Sequence, residues 1–211
     1  METSINMKKK ELIKSLKAQN FCPEIIEAFK KVKRENFMPE NLQYLAYEDI
    51  ALPLESGATI SQPYTIAFML DLLELKQSKN QKILEIGSGS GYLLALISTI
   101  IGKGKIYGIE IIDSLAKKSK EILKKDKKIL IYNMDGSNGL PDKAPFDRII
   151  VSASADKIPE HLYNQLKDSG VLVAPVRGSI FKIKKENSKI RIQEFPGFVF
   201  VPLKKSNIYI R

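Results

Sequence analysis

Hydrophobic and polar positions along the chain predict helices first and a strand–helix alternation later. Apolar side chains recur at roughly helical spacing between residues 8 and 36, and Pro23 is suited to open a second helix there. Residues 37–63 are irregular and rich in turn formers, whereas residues 64–75 return to a helical pattern. Because long ordered loops in compact domains often carry function, the 37–63 segment is a candidate for substrate binding.

From residue 82 onward, short apolar strands alternate with amphipathic helices. The pattern predicts strands over 82–86, 105–110, 129–133, 147–152 and 170–175, with helices over 92–101, 114–125 and about 159–166. Residues 181–210 alternate without helical segments, which indicates hairpin-like strands. The predicted fold is therefore α/β: a Rossmann-like, doubly wound and mostly parallel sheet, with N-terminal helices and C-terminal antiparallel strands.

The length of 211 residues suits one domain over 1–211. Its predicted parts are helices and a substrate loop (1–75), a cofactor-binding core (82–176) and C-terminal strands (177–211). No apolar run reaches the roughly 18 residues of a membrane span. The basic run at Lys8–Lys10 is followed by charged residues where a signal peptide would be apolar. We therefore expect a cytoplasmic protein without membrane attachment.

Residue counts narrow the chemistry further. A single cysteine, Cys22, excludes an internal disulfide framework, and a single histidine, His161, excludes sites that need two. No metal site is predicted, and His161 is expected to face solvent from a helix. The net charge of +10 is compatible with nucleic-acid binding, but the lysines are scattered and lack interleaved aromatic residues. Solvated helix faces are the favoured interpretation.

A glycine-rich turn follows the first predicted strand of the alternation. Gly87, Gly89 and Gly91 are spaced as GxGxG, and the dinucleotide fingerprint GxGxxG would need glycine where Tyr92 stands. Glu85 precedes the turn inside the strand. A carboxylate there is of no use to a pyrophosphate but suits a cationic methionyl amine and sulfonium.

Two more acidic positions follow the next two strands. Glu110 ends the second strand, where a carboxylate accepts hydrogen bonds from ribose hydroxyls. Asp135 and Gly136 follow the third, where a carboxylate and a backbone N–H suit an adenine edge. Each acid alone is more simply a helix cap or a solvated charge. Together with the glycine turn they predict an adenosine-type cofactor.

This ordered set resembles the class I S-adenosylmethionine-dependent methyltransferases, with Leu84–Gly91 as the glycine-rich motif. The resemblance implies S-adenosyl-L-methionine as cofactor and S-adenosyl-L-homocysteine as product. It also implies that Gly87, Ser88 and Gly89 lie against the methionyl part, Glu110 on the ribose, and Asp135 with Gly136 beside the adenine.

The segment after the fourth strand narrows the methyl acceptor. Residues 149–156 read Ile-Ile-Val-Ser-Ala-Ser-Ala-Asp and lack the Asn/Asp-Pro-Pro-Tyr/Phe element that nucleobase amine methyltransferases usually carry. The clustered acids and asparagine of metal-dependent catechol enzymes are not found either. The small residues leave room for a backbone-like substrate.

The loop before the fold resembles protein-L-isoaspartate (D-aspartate) O-methyltransferases. The matching segments are 46–49, 52–54, 59–64, 84–92, 135–136, 145–151, 158–159, 165–166, 173–176 and 200–203. Thr59-Ile60-Ser61-Gln62-Pro63 is the specific part; the resemblance implies Ser61 as the catalytic residue and Thr59, Ile60 and Gln62 beside the substrate. Departures occur at Lys33, Ala58 and Met134, where the family commonly has proline, glutamine and glycine.

The chemistry expected of such a site needs no general base. An isoaspartyl or D-aspartyl carboxylate, with a pKa of about 4, is ionised at neutral pH and attacks the sulfonium methyl directly. The protein then contributes proximity, alignment and removal of water. Damaged proteins are the expected partners, with no stable nucleic-acid partner and a monomeric state.

Three alternatives remain open at this point. Thr59 and Ser61 are also suited merely to cap the helix entered at Pro63. An RNA methyltransferase of the same fold would use the +10 charge. A protein that binds the cofactor without catalysis would account for Ala58.

Overall fold

The computed structural model describes residues 2–77, 80–187 and 189–204, so the last predicted strand positions, 205–210, lie outside the described residues. The N-terminal part comprises α1 (Glu2–Ala18), α2 (Pro23–Lys31), the two-stranded hairpin β1 (Leu52–Pro53) and β2 (Thr59–Ile60), and α3 (Pro63–Leu72). The core then runs β3 (Gln81–Ile86), α4 (Tyr92–Ile101), β4 (Gly104–Glu110), α5 (Asp113–Leu123), β5 (Ile129–Asn133), β6 (Phe146–Val151), α6 (Glu160–Tyr163), β7 (Leu166–Val176), β8 (Ser179–Glu186) and β9 (Lys189–Pro196).

The main sheet confirms the predicted fold. Its seven strands lie in the order β5-β4-β3-β6-β7-β8-β9. The first five are parallel, and β8 and β9 are added antiparallel. The strand order reverses between β3 and β6, and in open α/β sheets the crevice at such a point, outside the carboxyl ends of the strands, is where ligands bind.

Alternation along the buried strands distributes the core over both faces of the sheet. Ile83 packs into the cluster formed with the N-terminal helices, α3 and α4, whereas its neighbour Leu84 packs into the cluster on the other face. Register pairs Ile86 with Ile109 on one side and with Val151 on the other. The three strands therefore end together, which brings the residues that follow them to one edge.

The predicted helix over 159–166 is wrong in extent. Only Glu160–Tyr163 is helical, and β7 begins at Leu166 rather than at residue 170. Leu162 and Leu166 are both buried four residues apart, which produces a helical pattern. Leu166 instead pairs with Phe146 in the sheet, and the register shifts before the Arg148–Val171 pair. A strand irregularity of this kind leaves no simple periodicity in the sequence.

The segment before α3 is more ordered than its composition indicates. Short 3₁₀ helices at Arg34–Phe37, Glu40–Leu45 and Glu55–Gly57 accompany the β1–β2 hairpin. Gln62 is the N-cap of α3, with no side-chain capping bond. The alternative in which Thr59 and Ser61 cap this helix is therefore wrong.

No helix within the described residues is long and apolar enough to cross a membrane.

Candidate active site

A cleft of about 200 Å³ opens at the carboxyl edge where the strand order reverses. Its floor comes from the ends of β3, β4 and β6 and from the turn after β5. Its rim comes from the loop before β2 and from the chain after β9. The lining residues are Gly57, Ala58, Thr59, Ile86, Gly87, Gly89, Ile109–Ile112, Gly136, Ser152, Ala153 and Val201–Lys204. The structure thus brings Gly87, Gly89, Glu110 and Gly136, predicted separately from the sequence, into one cavity.

Glu110 anchors the glycine turn. Its carboxylate accepts hydrogen bonds from the backbone N–H of Gly89 at 2.7 Å and of Ile112 at 2.8 Å. The N–H groups of Gly87 and Ser88 donate to the carbonyl of Ile109. Each carboxylate oxygen retains a second lone pair, so Glu110 is able to hold the turn and still accept from a ribose hydroxyl. The anchoring role was not foreseen from the sequence.

A smaller polar cavity of about 40 Å³ adjoins the cleft and shares Thr59, Gly87, Gly89 and Ser152 with it. Ser61, Glu85 and Ser88 also line this cavity, so the specific loop segment and the glycine turn meet here. Ser152, which sequence reasoning missed, donates its hydroxyl to Glu85 Oε1 at 2.8 Å.

Glu85 is the most perturbed acid of the site. Only 1% of it is exposed. Burial raises its pKa to about 8, opposed by the Ser152 hydrogen bond and assisted by the charge of Glu110. Glu85 Oε2 and Ser88 Oγ are buried without a hydrogen-bond partner among the described residues. A buried acceptor left in this state fits a cationic donor such as a methionyl amine.

The adenine-side residues are packed against the strand ends. A Cβ at Gly136 would lie 2.7 Å from Ile86 Cγ2 and 3.1 Å from Ile109 Cγ2, so glycine is needed for this close approach. Asp135, half-buried beside it, accepts the Ser137 N–H at 2.8 Å. The adenine contact of Asp135 stays a prediction.

Gly91 has a different geometric reason from the one predicted. Its φ is +85°, and a Cβ there would lie 2.8 Å from Leu123 Cδ1 and 3.1 Å from Ser119 Cβ. The residue therefore faces α5 and allows α4 to begin against it. The cofactor contact predicted for Gly91 stays a prediction without support from this packing.

The Thr59–Gln62 segment reaches the site from the hairpin. Thr59, Ile60 and Ser61 all line the small cavity. Gln62 instead accepts a hydrogen bond from Thr65 Oγ1 at 3.2 Å within the first turn of α3, so its predicted substrate contact stays a prediction. The carbonyl of Ser61 accepts from Arg34 Nη2 at 3.1 Å. Arg34 was missed because a charged residue between Lys33 and Glu35 gives no sign of burial.

The C-terminal part of the described chain covers the cleft. Val201, Pro202, Leu203 and Lys204 line it, and the Val201 carbonyl accepts from the N–H of Ser154 at 2.8 Å. Lys204 Nζ donates to the Ser56 carbonyl at 2.6 Å across the opening. The cleft is therefore bounded by residues 201–204 together with the loop before β2.

Comparison with known proteins agrees with this geometry. The family described as protein-L-isoaspartate(D-aspartate) O-methyltransferase matches residues 7–207. The protein-L-isoaspartate O-methyltransferase of Ignicoccus hospitalis is 41% identical over 210 residues, covering 93% of this chain and 97% of its own. That of Flavobacterium psychrophilum is 42% identical over 186 residues, 85% of each chain.

A solved structure extends the likeness to three dimensions. A putative protein-L-isoaspartate O-methyltransferase from Plasmodium falciparum, in complex with S-adenosyl-L-homocysteine, matches with a TM-score of 0.80 and 26% identity. The match covers 93% of this chain and 98% of that one. On the sequence, the fold and the arrangement of the cleft, the chain belongs to the protein-L-isoaspartate (D-aspartate) O-methyltransferase family.

Proposed function

We propose that this protein repairs damaged proteins by moving a methyl group from S-adenosyl-L-methionine to the free carboxylate of L-isoaspartyl and D-aspartyl residues. The observation that carries the proposal is the small polar cavity, in which Ser61 of the specific loop lies with Glu85 and Ser88 of the cofactor turn. Substrate and cofactor elements thus converge on one point of the structure.

Different residues of the site bind different parts of the cofactor. Glu85 and Ser88 hold the methionyl amine, because their unpaired oxygens are buried in the small cavity. Glu110 holds the ribose, and Gly136 with Asp135 flanks the adenine. S-adenosyl-L-methionine supplies an electrophilic methyl group and a positive charge when bound.

The protein itself aligns the substrate carboxylate and excludes water from the reacting atoms. Ser61 directs its hydroxyl to the substrate carboxylate, which is already ionised and needs no base. The covering residues Val201–Lys204 and the loop at Gly57–Thr59 limit water at the reacting atoms. Ala153, with 8% exposure, and the neighbouring serines leave space for main-chain atoms of the substrate.

The +10 charge does not favour the RNA alternative. Along α5, Lys117 pairs with Asp113, and Lys124 at the C-cap pairs with Glu121; these side chains are exposed. Such faces are solvated, and the relatives named above are protein-L-isoaspartate O-methyltransferases. The cytoplasmic location, the monomeric state and the absence of a stable nucleic-acid partner stay predictions.

The test uses the purified protein with methyl-labelled cofactor and three acceptors in parallel: an isoaspartyl peptide, its normal aspartyl twin, and total RNA. We expect label on the isoaspartyl peptide alone, in a form released by mild base because a methyl ester hydrolyses there. Label on RNA alone would contradict the proposal of protein repair. Cofactor binding without any labelling would support the catalytically impaired alternative.

A further inference from the structure

Arg34 carries a charge that is fully removed from solvent. Its residue exposure is 0%, and Nη2 alone donates to two carbonyls, Ile50 at 3.2 Å and Ser61 at 3.1 Å. Nε and Nη1 have no hydrogen-bond partner within the part of the chain that the structure describes. Burying a guanidinium with unpaired N–H groups lowers the folding stability. The burial of Arg34 therefore indicates a role other than stabilising the fold.

The two carbonyls stand at the two ends of the hairpin segment. Ile50 precedes β1, and Ser61 follows β2, which is paired to β1 through Leu52–Ile60. One nitrogen therefore holds the entrance and the exit of the hairpin together. Beyond Ser61, Pro63 restricts the preceding Gln62 to an extended backbone, with φ −52° and ψ 135°. The main chain of Ser61 is thus held from both sides.

Arg34 also approaches a second residue that lines the small cavity. Its Cζ lies 5.9 Å from the centre of the Tyr92 ring, which is wedged against Phe29 and Phe37. Tyr92 begins α4 directly after the glycine turn and lines the same cavity as Ser61. The guanidinium therefore spans the hairpin and the cofactor-binding helix.

We infer that Arg34 is a positioning residue for Ser61: by holding the Ser61 carbonyl against the Ile50 carbonyl and the Tyr92 ring, it aims the serine hydroxyl into the polar cavity beside Glu85. The inference rests on the proposed role of Ser61 in isoaspartyl methylation. Lysine is a poor substitute, because its ammonium has no planar face to lie over the Tyr92 ring while it donates to the two carbonyls.

Arg148 offers a matched control. It is also buried, with 6% exposure, and donates from Nε and Nη2 to the Glu74 carbonyl at 3.2 and 2.9 Å. It stands near the start of β6, paired with Ile83, at the end of the strands away from the cleft. Arg148→Lys therefore disturbs a comparable set of carbonyl contacts without touching the hairpin.

The experiment compares wild type, Arg34→Lys, Arg148→Lys, Ser61→Ala and the Arg34→Lys/Ser61→Ala double variant well below their unfolding transitions. Turnover of the isoaspartyl peptide, KM and cofactor Kd are measured, together with amide hydrogen exchange of residues 50–62. We expect Arg34→Lys to lower kcat about tenfold or more, because misplacing a group by about 1 Å costs on the order of 100-fold. Cofactor Kd stays within about threefold, and exchange over 50–62 accelerates.

Arg148→Lys should lower stability while leaving kcat and the 50–62 exchange unchanged. In the Ser61→Ala background, Arg34→Lys should add little, since both changes remove one arrangement. Wild-type kcat in Arg34→Lys, or the full loss persisting on the Ser61→Ala background, would overturn the inference. If Arg34→Lys does not fold, Arg34→Gln, which retains an N–H donor, undergoes the same comparison. Hydrogen exchange reports whether Arg34 restrains the hairpin even if wild type proves inactive on isoaspartyl peptide. A failure of the proposed function is therefore distinguishable from a failure of the inference about Arg34.

Discussion

Replacing Glu85 by glutamine should remove a loss of folding stability that the cofactor-free protein undergoes as pH rises. The carboxyl group is buried, and its Oε2 has no partner among the described residues. Burial, opposed by the Ser152 hydrogen bond, raises the pKa of Glu85 from its usual 4.5 to about 8. In the pH range between these values the folded protein keeps a proton that the unfolded chain has released.

The sign and the size follow from that difference. Stability associated with Glu85 is fully present below pH 4.5 and declines as pH rises toward about 8, because the unfolded chain alone is ionised in this window. Each pH unit costs about 1.4 kcal/mol for one proton, so the total across the window is about 5 kcal/mol, of which about 3 kcal/mol is lost by pH 7. Glutamine, nearly isosteric and uncharged, does not incur this loss.

The assay is urea unfolding of wild type and Glu85→Gln without cofactor, from about pH 5 to about pH 9. We expect the free energy of unfolding of the variant, relative to that of wild type, to rise by about 1.4 kcal/mol per pH unit up to about pH 8. Above that pH the difference should stay constant. Glu27→Gln is the control: hydrogen bonding to Lys30 lowers the pKa of this exposed acid, so its difference from wild type stays flat above pH 5. A flat difference for Glu85→Gln as well would refute a protonated, buried Glu85.

Three further substitutions, with Gly57→Ala as a control, test the other residues of the site and of the glycine turn. Ser61→Ala should cut turnover strongly while cofactor affinity, measured by calorimetry, stays within a few-fold; collapse of binding would make Ser61 a cofactor or structural residue. Glu110→Ala should weaken cofactor binding by about 1–3 kcal/mol before it affects peptide KM, because a charged acceptor of the Gly89 N–H is lost. Gly91→Ala should destabilise the fold by the 1–2 kcal/mol or so of a left-handed backbone plus about 1–3 kcal/mol of crowding against Ser119 and Leu123. Gly57→Ala, at φ +73° with nothing within 4 Å of its Cβ, should show the backbone cost alone in urea unfolding.

The sheet and its cofactor edge were predictable because the relevant signals are local. The helix Tyr92–Ile101 is bounded by Gly91 and Gly102, and the five-residue strand Ile129–Asn133 begins after Lys128 and ends on a polar residue. Both elements were predicted to the residue. Once the strands are parallel, their carboxyl ends share an edge, so Glu110 and Gly136 had to meet the glycine turn.

Features set by distant contacts left no such signal. Arg34 lies in the charged run Lys33-Arg34-Glu35, and its burial depends on carbonyls at residues 50 and 61. Part of the requirement for glycine at position 91 comes from Leu123, contributed by a helix that starts 22 residues later. In both cases the decisive partner is known only after the fold has brought it close.

The departures at positions 33 and 134 from the common family pattern are accommodated by the backbone. Lys33 is exposed and adopts φ −81° and ψ 104°, an extended conformation at the edge of the φ range of proline, so the path into Arg34 is close to the one a proline would give. Met134 is 41% exposed, and its N–H donates to the Glu110 carbonyl at 3.1 Å. Its φ is not positive, so glycine is not required there.

The departure at Ala58 bears most directly on catalysis, because this residue lines the cleft beside Thr59. Its N–H donates to the Glu55 carbonyl at 3.1 Å, and its carbonyl accepts from the Leu54 N–H at 2.8 Å. Main-chain hydrogen bonds therefore hold this turn of the hairpin, and no side-chain amide is needed for its shape. Since Arg34 secures the other end at Ser61, the hairpin geometry survives the loss of the glutamine, which favours an active enzyme over a protein that only binds the cofactor.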